Sequence, residues 1–408
     1  MKKVFLSALT VSSLLFVSCS DDDNNIPENP DAEVVAPDTY KFERNGSTSV
    51  SYSGQTTRIK MAEEFISALK NDPSSTTIPT TTEAILDGMF AHVEGNADFS
   101  DADLNASDKS IRSKTAASRD YFFSNVVEGT AIKEKFDGWI AEQVDVVFPN
   151  WNTNAAAGVA GRIQEAGGGS NRLVNGKGLE LNQAINKTLI GALMVDQMLN
   201  NYLGFLVLDE GTNVADNDNQ VLATDKNYTN MEHKWDEAFG YLYGTDDAEN
   251  PQYNADSFLS KYVSRVEGDT DFAGISQKIY DAFKKGRQAI VVKNYTEREA
   301  QAKIIRDEVS KIIAIRAVYY LQQAKLTLAT DKGSAFHDLS EGFGFIESLR
   351  FTRNTSTNEP YFTTSEISEF TSKLLEGNGF WDVTNATLDE ISDEIADKFD
   401  FTVEQAGS

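Results

Sequence analysis

The feature that most limits how this chain can fold is a stretch that occurs twice. Residues 232–244 read Glu232-His233-Lys234-Trp235-Asp236-Glu237-Ala238-Phe239-Gly240-Tyr241-Leu242-Tyr243-Gly244, and a degenerate copy follows at 336–348, Phe336-His337-Asp338-Leu339-Ser340-Glu341-Gly342-Phe343-Gly344-Phe345-Ile346-Glu347-Ser348. His233 and His337, Glu237 and Glu341, Phe239 and Phe343, and Gly240 and Gly344 fall at matching offsets. The chain holds 3 histidines in all, and two of them occupy the same slot of this repeat, which duplication explains better than composition does. The sequence therefore reads as two related halves, 38–250 and 251–408.

On a helix of about 3.6 residues per turn, His233, Glu237, Gly240 and Gly244 form one narrow stripe, with Trp235, Phe239 and Leu242 on the opposite side. The second copy places His337, Glu341, Gly344 and Ser348 against Leu339, Phe343 and Ile346 in the same way. Small residues beside a His/Glu pair let a neighbouring backbone approach, so the polar stripe is expected to face another helix. Two readings of the pair stay open. An imidazole and a carboxylate at i, i+4 can reach one metal ion or ligand; equally, each His can donate to its own Glu or to a nearby carbonyl and satisfy two polar groups at a helix contact. If the two histidine helices meet near a pseudo-axis, His233, Asp236, Glu237, His337 and Glu341 together supply enough ligands for a divalent metal, iron or zinc. If each stripe packs inside its own bundle, the pairs are structural.

A 408-residue chain with 40% hydrophobic residues can bury a sizeable core. Its formal charge of −26 repels nucleic acid and anionic lipid headgroups and excludes a nucleic-acid role, while favouring cations or simply solubility. The single cysteine, Cys19, rules out an intramolecular disulfide, a cysteine-rich zinc site and a catalytic thiol in the body of the protein.

Met1-Lys2-Lys3 and the apolar run from Val4 to Val17 make a signal peptide over 1–18, too short to span a membrane. It ends in Phe16-Val17-Ser18-Cys19, which resembles a loose bacterial lipobox and implies cleavage before Cys19 and lipidation of that residue. Two or more acyl chains hold a protein stably on a membrane. Ser20-Asp21-Asp22-Asp23 resembles the acidic export signal of Bacteroidota lipoproteins carried to the outer face of the outer membrane, with a solvated tether as the other reading. Residues 19–37 are expected to be a lipidated, acidic, disordered tether, since Asn24 to Pro37 contains three of the 8 prolines.

Alternation around Asn45-Gly46 predicts a small β-hairpin that opens the domain. Beyond it helical periodicity dominates, with helices expected at 58–70, 83–93, 130–148, 178–207, 230–243, 257–266, 273–292, 297–328, 334–351, 365–375 and 388–398. Phe136-Asp137-Gly138-Trp139 is echoed by Tyr280-Asp281-Ala282-Phe283 upstream of each motif copy, which favours two helical bundles packed on one another.

Other candidate chemistry is thin. The stretch 150–178 reads as a long Gly/Asn-rich loop over a pocket or along the surface, and its Gly176-Lys177-Gly178 lacks the Ser/Thr of a phosphate-binding loop. The 178–207 helix sets Asn182, Asn186, Asp196 and Asn200 on one face, either pairing with each other or lining a site with Asp196 as a ligand-binding residue. Asp216-Asn217-Asp218-Asn219 lacks the glycine and the glutamate of a calcium loop and reads as an acidic loop. No His-Glu-x-x-His or Gly-x-Ser-x-Gly occurs, and His92 is a helix-end histidine.

Lys177-Gly178-Leu179-Glu180, Leu189-Ile190-Gly191-Ala192-Leu193-Met194-Val195-Asp196-Gln197 and His233-Lys234-Trp235-Asp236-Glu237-Ala238-Phe239-Gly240-Tyr241 resemble a family of Bacteroidota lipoproteins of unknown function, over nearly the whole mature chain. That family is distantly similar to imelysin-like proteins, which pair two helical bundles and carry a Gly-x-His-x-x-Glu motif implicated in metal binding. The resemblance implies a mainly all-α, two-bundle fold, with iron uptake in some relatives and peptidase activity claimed for others. Here Met231 stands in place of the motif glycine and Asp236 in place of its glutamate, with Glu237 one position later, so a carboxylate stays on the histidine's side while the metal's identity is lost.

The expected function is a cell-surface outer-membrane lipoprotein that binds a ligand or a metal cation in nutrient acquisition, iron among the candidates, with envelope proteins as partners. A metal-dependent peptidase-like enzyme needs an open metal position and a general base, which no motif here supplies. A purely structural or interaction protein is the third class.

Overall fold

The computed structural model describes residues 33–408; the signal segment, Cys19 and most of the tether lie outside the described residues. A hairpin of β1 (Glu43–Arg44) and β2 (Ser47–Thr48) comes first, turned by Asn45 and Gly46, both at positive φ (53° and 76°) as a tight hairpin turn requires. There follow α1 (Ser53–Lys70), α2 (Glu83–Phe90), the single turns α3 (Ala102–Asn105), α4 (Ile111–Lys114) and α5 (Arg119–Phe122), and α6 (Val126–Glu142). A second hairpin pairs β3 (Gly161–Gln164) with β4 (Asn171–Val174) in antiparallel register, Gly161 opposite Val174. Next come α7 (Leu181–Leu189), α8 (Phe205–Leu208), α9 (Asn213–Asp218) and the first histidine helix, α10 (Asn230–Tyr243). The remainder is α11 (Leu259–Glu267), α12 (Ile275–Val291), α13 (Tyr295–Thr327), the second histidine helix α14 (Lys332–Ser348), α15 (Thr364–Leu374), α16 (Asn385–Ala396) and α17 (Val403–Ala406).

The mainly all-α reading holds, and the first hairpin sits where the Asn-Gly turn puts it. The long loop expected over 150–178 is instead largely the β3/β4 hairpin, packed on α14. Its strands are four residues each and turned by glycines, too short for alternation to stand out. Nor is Asp216-Asn217-Asp218-Asn219 an acidic loop. Asp216, Asn217 and Asp218 form the second half of α9 and Asn219 caps it, with Asn217 donating to the Ile290 carbonyl (2.8 Å) and Asp218 accepting from the Tyr295 hydroxyl (2.6 Å).

Thr229 caps α10 through a reciprocal capping box with Glu232, which fixes where the first histidine helix begins. α13 packs along α12 and α14, and α14 packs in turn on α7. One hydrophobic cluster runs from Tyr40 to Ala406 and is continuous across 250 and 251. Both apolar stripes, Trp235/Phe239/Leu242 and Leu339/Phe343/Ile346, lie in it.

The continuous helix expected over 178–207 becomes π-helical after α7, over Ile190–Val195 and again over Met198–Tyr202. The first bulge has a local cause. The Ser348 hydroxyl accepts from the Gly191 amide (3.1 Å) and donates to the Lys187 carbonyl (2.7 Å), taking the place of the ordinary Gly191–Lys187 backbone bond. A side chain inserted into the i to i−4 ladder forces the turn to widen.

Candidate functional site

Each copy of the repeat docks a helix from the N-terminal half on its stripe of small residues. A Cβ at Gly240 would sit 2.4 Å from Tyr52 Cβ and 3.0 Å from Gln55 Cβ at the start of α1, and one at Gly344 would sit 2.5 Å from Lys187 Cβ in α7. Close approach of backbone is what the glycines permit. His233 and His337 serve the same docking. His233 Nδ1 lies 3.0 Å from the Ser51 carbonyl just before α1, and His337 Nδ1 lies 2.7 Å from Glu180 just before α7. The Nε2 atoms stand 3.9 Å from Glu237 and 3.8 Å from Glu341, beyond hydrogen-bond reach.

Around α10 the charges are consumed internally. Glu237 is bound by Lys234 (2.9 Å) and Gln55 (3.2 Å). Asp236 is buried and accepts from Arg287 Nε (3.0 Å), the Tyr40 hydroxyl (2.7 Å) and the Ser51 amide (3.1 Å). Burial pushes its carboxyl up to about 6 against these partners. His233 stacks on Tyr228 with ring centroids 4.6 Å apart, and burial lowers its pKa in spite of Glu237.

Asp196 sits between the two π segments with no exposed surface and accepts the Ala117 and Ser118 amides at 3.0 Å each, so it terminates backbone donors and does not face a ligand. Among the described residues no group of three or more His, Cys, Asp or Glu side chains could hold a metal ion. Asp236, Glu237 and Glu341 are each spent on a cation, so the donors proposed for iron or zinc do not fit one. Titration of metal-stripped protein with iron or zinc is expected to show the same uptake by wild type and by the His233→Ala/His337→Ala variant; a stoichiometric loss in the variant would reinstate the metal.

Around α14 the arrangement opens to solvent. A cleft of about 660 Å³ lies between α11, α13 and α14, lined by Lys261, Arg265, Arg316, His337, Asp338 and Glu341. Burial acts to raise Glu341, but Lys187 at 3.2 Å, His337, the Tyr320 hydroxyl and Lys261 bring it down to about 2. Burial acts to lower His337, yet Glu180 and Glu341 hold it above the ordinary histidine value. Asp338 is raised to about 6 by burial, with Glu341 adding to the effect and His337 opposing it. A cleft with displaced acid–base groups is the usual mark of a binding site.

Of the residues singled out by the repeat, His337 and Glu341 line this cleft, while His233, Asp236 and Glu237 lie in the hairpin-facing network of α10. Lys261, Arg265, Arg316 and Asp338 were not anticipated. One signal was legible: Arg316 interrupts the apolar run Ile312-Ile313-Ala314-Ile315 and Ala317-Val318, where a charge needs a reason.

No curated protein and no solved structure matches the chain. A family profile described as a domain of unknown function, DUF4856, matches residues 37–402, nearly the whole of the described structure. The chain belongs to the DUF4856 family.

Proposed function

We propose that the protein is a lipid-anchored component of the cell envelope that captures a small polar ligand in the cleft between α11, α13 and α14, as part of nutrient acquisition. The observation that carries this reading is that the second copy of the repeat, spent structurally at His337 Nδ1, still turns Asp338 and the edge of Glu341 toward an open, charge-lined cavity. At the first copy the carboxylates are engaged by neighbouring side chains, Asp236 by Arg287 and Glu237 by Lys234 and Gln55. The anchor rests on Cys19 and the acidic run after it. Among the described residues no helix is long and apolar enough to cross a membrane.

Equilibrium dialysis of the full chain against a pool of small metabolites, read by mass spectrometry, tests the binding. Thr270→Trp, on the exposed rim of the cleft, is expected to reduce retention of the bound compound at least tenfold. Equal retention by both proteins would place binding elsewhere. Cys19→Ala is expected to leave the membrane fraction for the soluble one or to accumulate as precursor, and normal membrane retention of that variant would refute the anchor.

A further inference from the structure

Arg316 is only 6% exposed, and its Nε has no hydrogen-bond partner. Arg287, Arg298, Arg350 and Arg353 are comparably buried, and each is met by a carboxylate. Among the described residues Arg316, Lys261 and Arg265 have none within ion-pair distance. The guanidinium is instead held by rings: Tyr319 at 3.9 Å, Tyr320 at 4.6 Å and Tyr262 at 5.5 Å from Cζ. Rings occupy the faces of a planar guanidinium and leave its N–H edge for acceptors in the plane. Lys261 and Arg265 come from α11 to the same cleft, and burial together with Lys187, Arg265 and Arg316 lowers the Lys261 ammonium although Glu341 opposes the shift. Such crowding of cations is costly without a counter-charge. The acids in the cleft do not pair with them: Glu341 is engaged by Lys187 at 3.2 Å, and neither Asp338 nor Asp269 comes within ion-pair distance of Arg316, Lys261 or Arg265.

We propose that the cleft takes its ligand through a carboxylate or phosphate group seated on Arg316, with Lys261 and Arg265 completing an anion subsite; this rests on the reading of the cleft as a ligand site. Arginine pairs with either group through two parallel N–H bonds.

Calorimetric titration of the full chain with inorganic phosphate, succinate and glucose, at constant ionic strength, tests it. Expected is saturable, one-to-one binding of phosphate or succinate, whichever is tighter naming the group. Binding should weaken at least tenfold in Lys261→Met/Arg265→Gln and be lost in Arg316→Met. Should Arg316→Met fail to fold, the α11 double variant carries the test, because Lys261 is half-buried and Arg265 exposed. Binding within twofold of wild type in the double variant, or no binding of either anion, overturns the inference. Glucose binding that Thr270→Trp abolishes, without anion binding, would overturn the anion subsite and leave the ligand cleft standing.

Discussion

Arg287→Met is expected to lower the free energy of unfolding by about 3–5 kcal/mol, read by urea denaturation with tryptophan fluorescence. The guanidinium is fully buried, and it ties two carboxylates of α10 to the N-terminal hairpin segment. Its Nε donates to Asp236 (3.0 Å) and its Nη1 to Glu232 (3.0 Å), while its plane lies 4.9 Å from the Phe42 ring centre. Glu232 would keep Arg44 and the Thr229 amide, but Asp236 would keep only the neutral Tyr40 hydroxyl and Ser51 amide. Removing one partner of a buried ion pair strands the other charge, which costs far more than the pair contributes when intact. The double variant Arg287→Met/Asp236→Leu is therefore expected to recover part of the loss. Hydrogen exchange should rise first over 40–52, since Tyr40, Ser49 and Ser51 hold this segment through the same network. A loss below about 1 kcal/mol would show that the network is dispensable and that apolar contacts dock the hairpin.

That network shows where sequence reading stops. The repeat exposed the pairing of His, Glu and Gly, and the structure places both stripes of small residues against a neighbouring helix, as the spacing implied. Periodicity is local and survives in one dimension. The partners are not local: Arg287 is 51 residues from Asp236 and Glu180 is 157 residues from His337. An i, i+4 His/Glu pair reads alike whether its donors meet a metal or a helix start, and only the packing of α1 on α10 and of α7 on α14 decides between them. The π turn at 190–195 was hidden for the same reason, because the cause is Ser348, far along the chain. Arg316 is the opposite case. Its anomaly was visible as a charge in an apolar run, while the tyrosines that stack on it and the cations of α11 beside it came into view only in three dimensions.

Stability is expected to fall as pH rises from about 5 to 8, and the carboxyls responsible are buried ones. Burial raises Asp196 to about 6 and Asp256 to about 7, Glu63 adding to the effect on Asp256 while the Phe258 amide opposes it. A carboxyl whose folded pKa exceeds its unfolded value contributes stability that is complete below the unfolded value and lost as pH climbs through the folded one. His337, held above its ordinary value, acts in the same direction, while His233, lowered by burial, acts oppositely. With each tenfold change in acidity equal to about 1.4 kcal/mol, keeping Asp256 ionised at pH 8 costs on the order of 4 kcal/mol. Glu232, Glu237 and Glu341 act oppositely, because their folded values are lowered and their contribution disappears as pH falls below the ordinary glutamate range. The two sets together place the maximum near pH 5 to 6. Asp256→Asn keeps an acceptor for the Phe258 amide and removes the titration, so the decline between pH 6 and 8 should become shallower in that variant. Urea midpoints that rise toward pH 8, or that fall equally in Asp256→Asn and wild type, would show that these carboxyls are not held above their ordinary range in the folded chain.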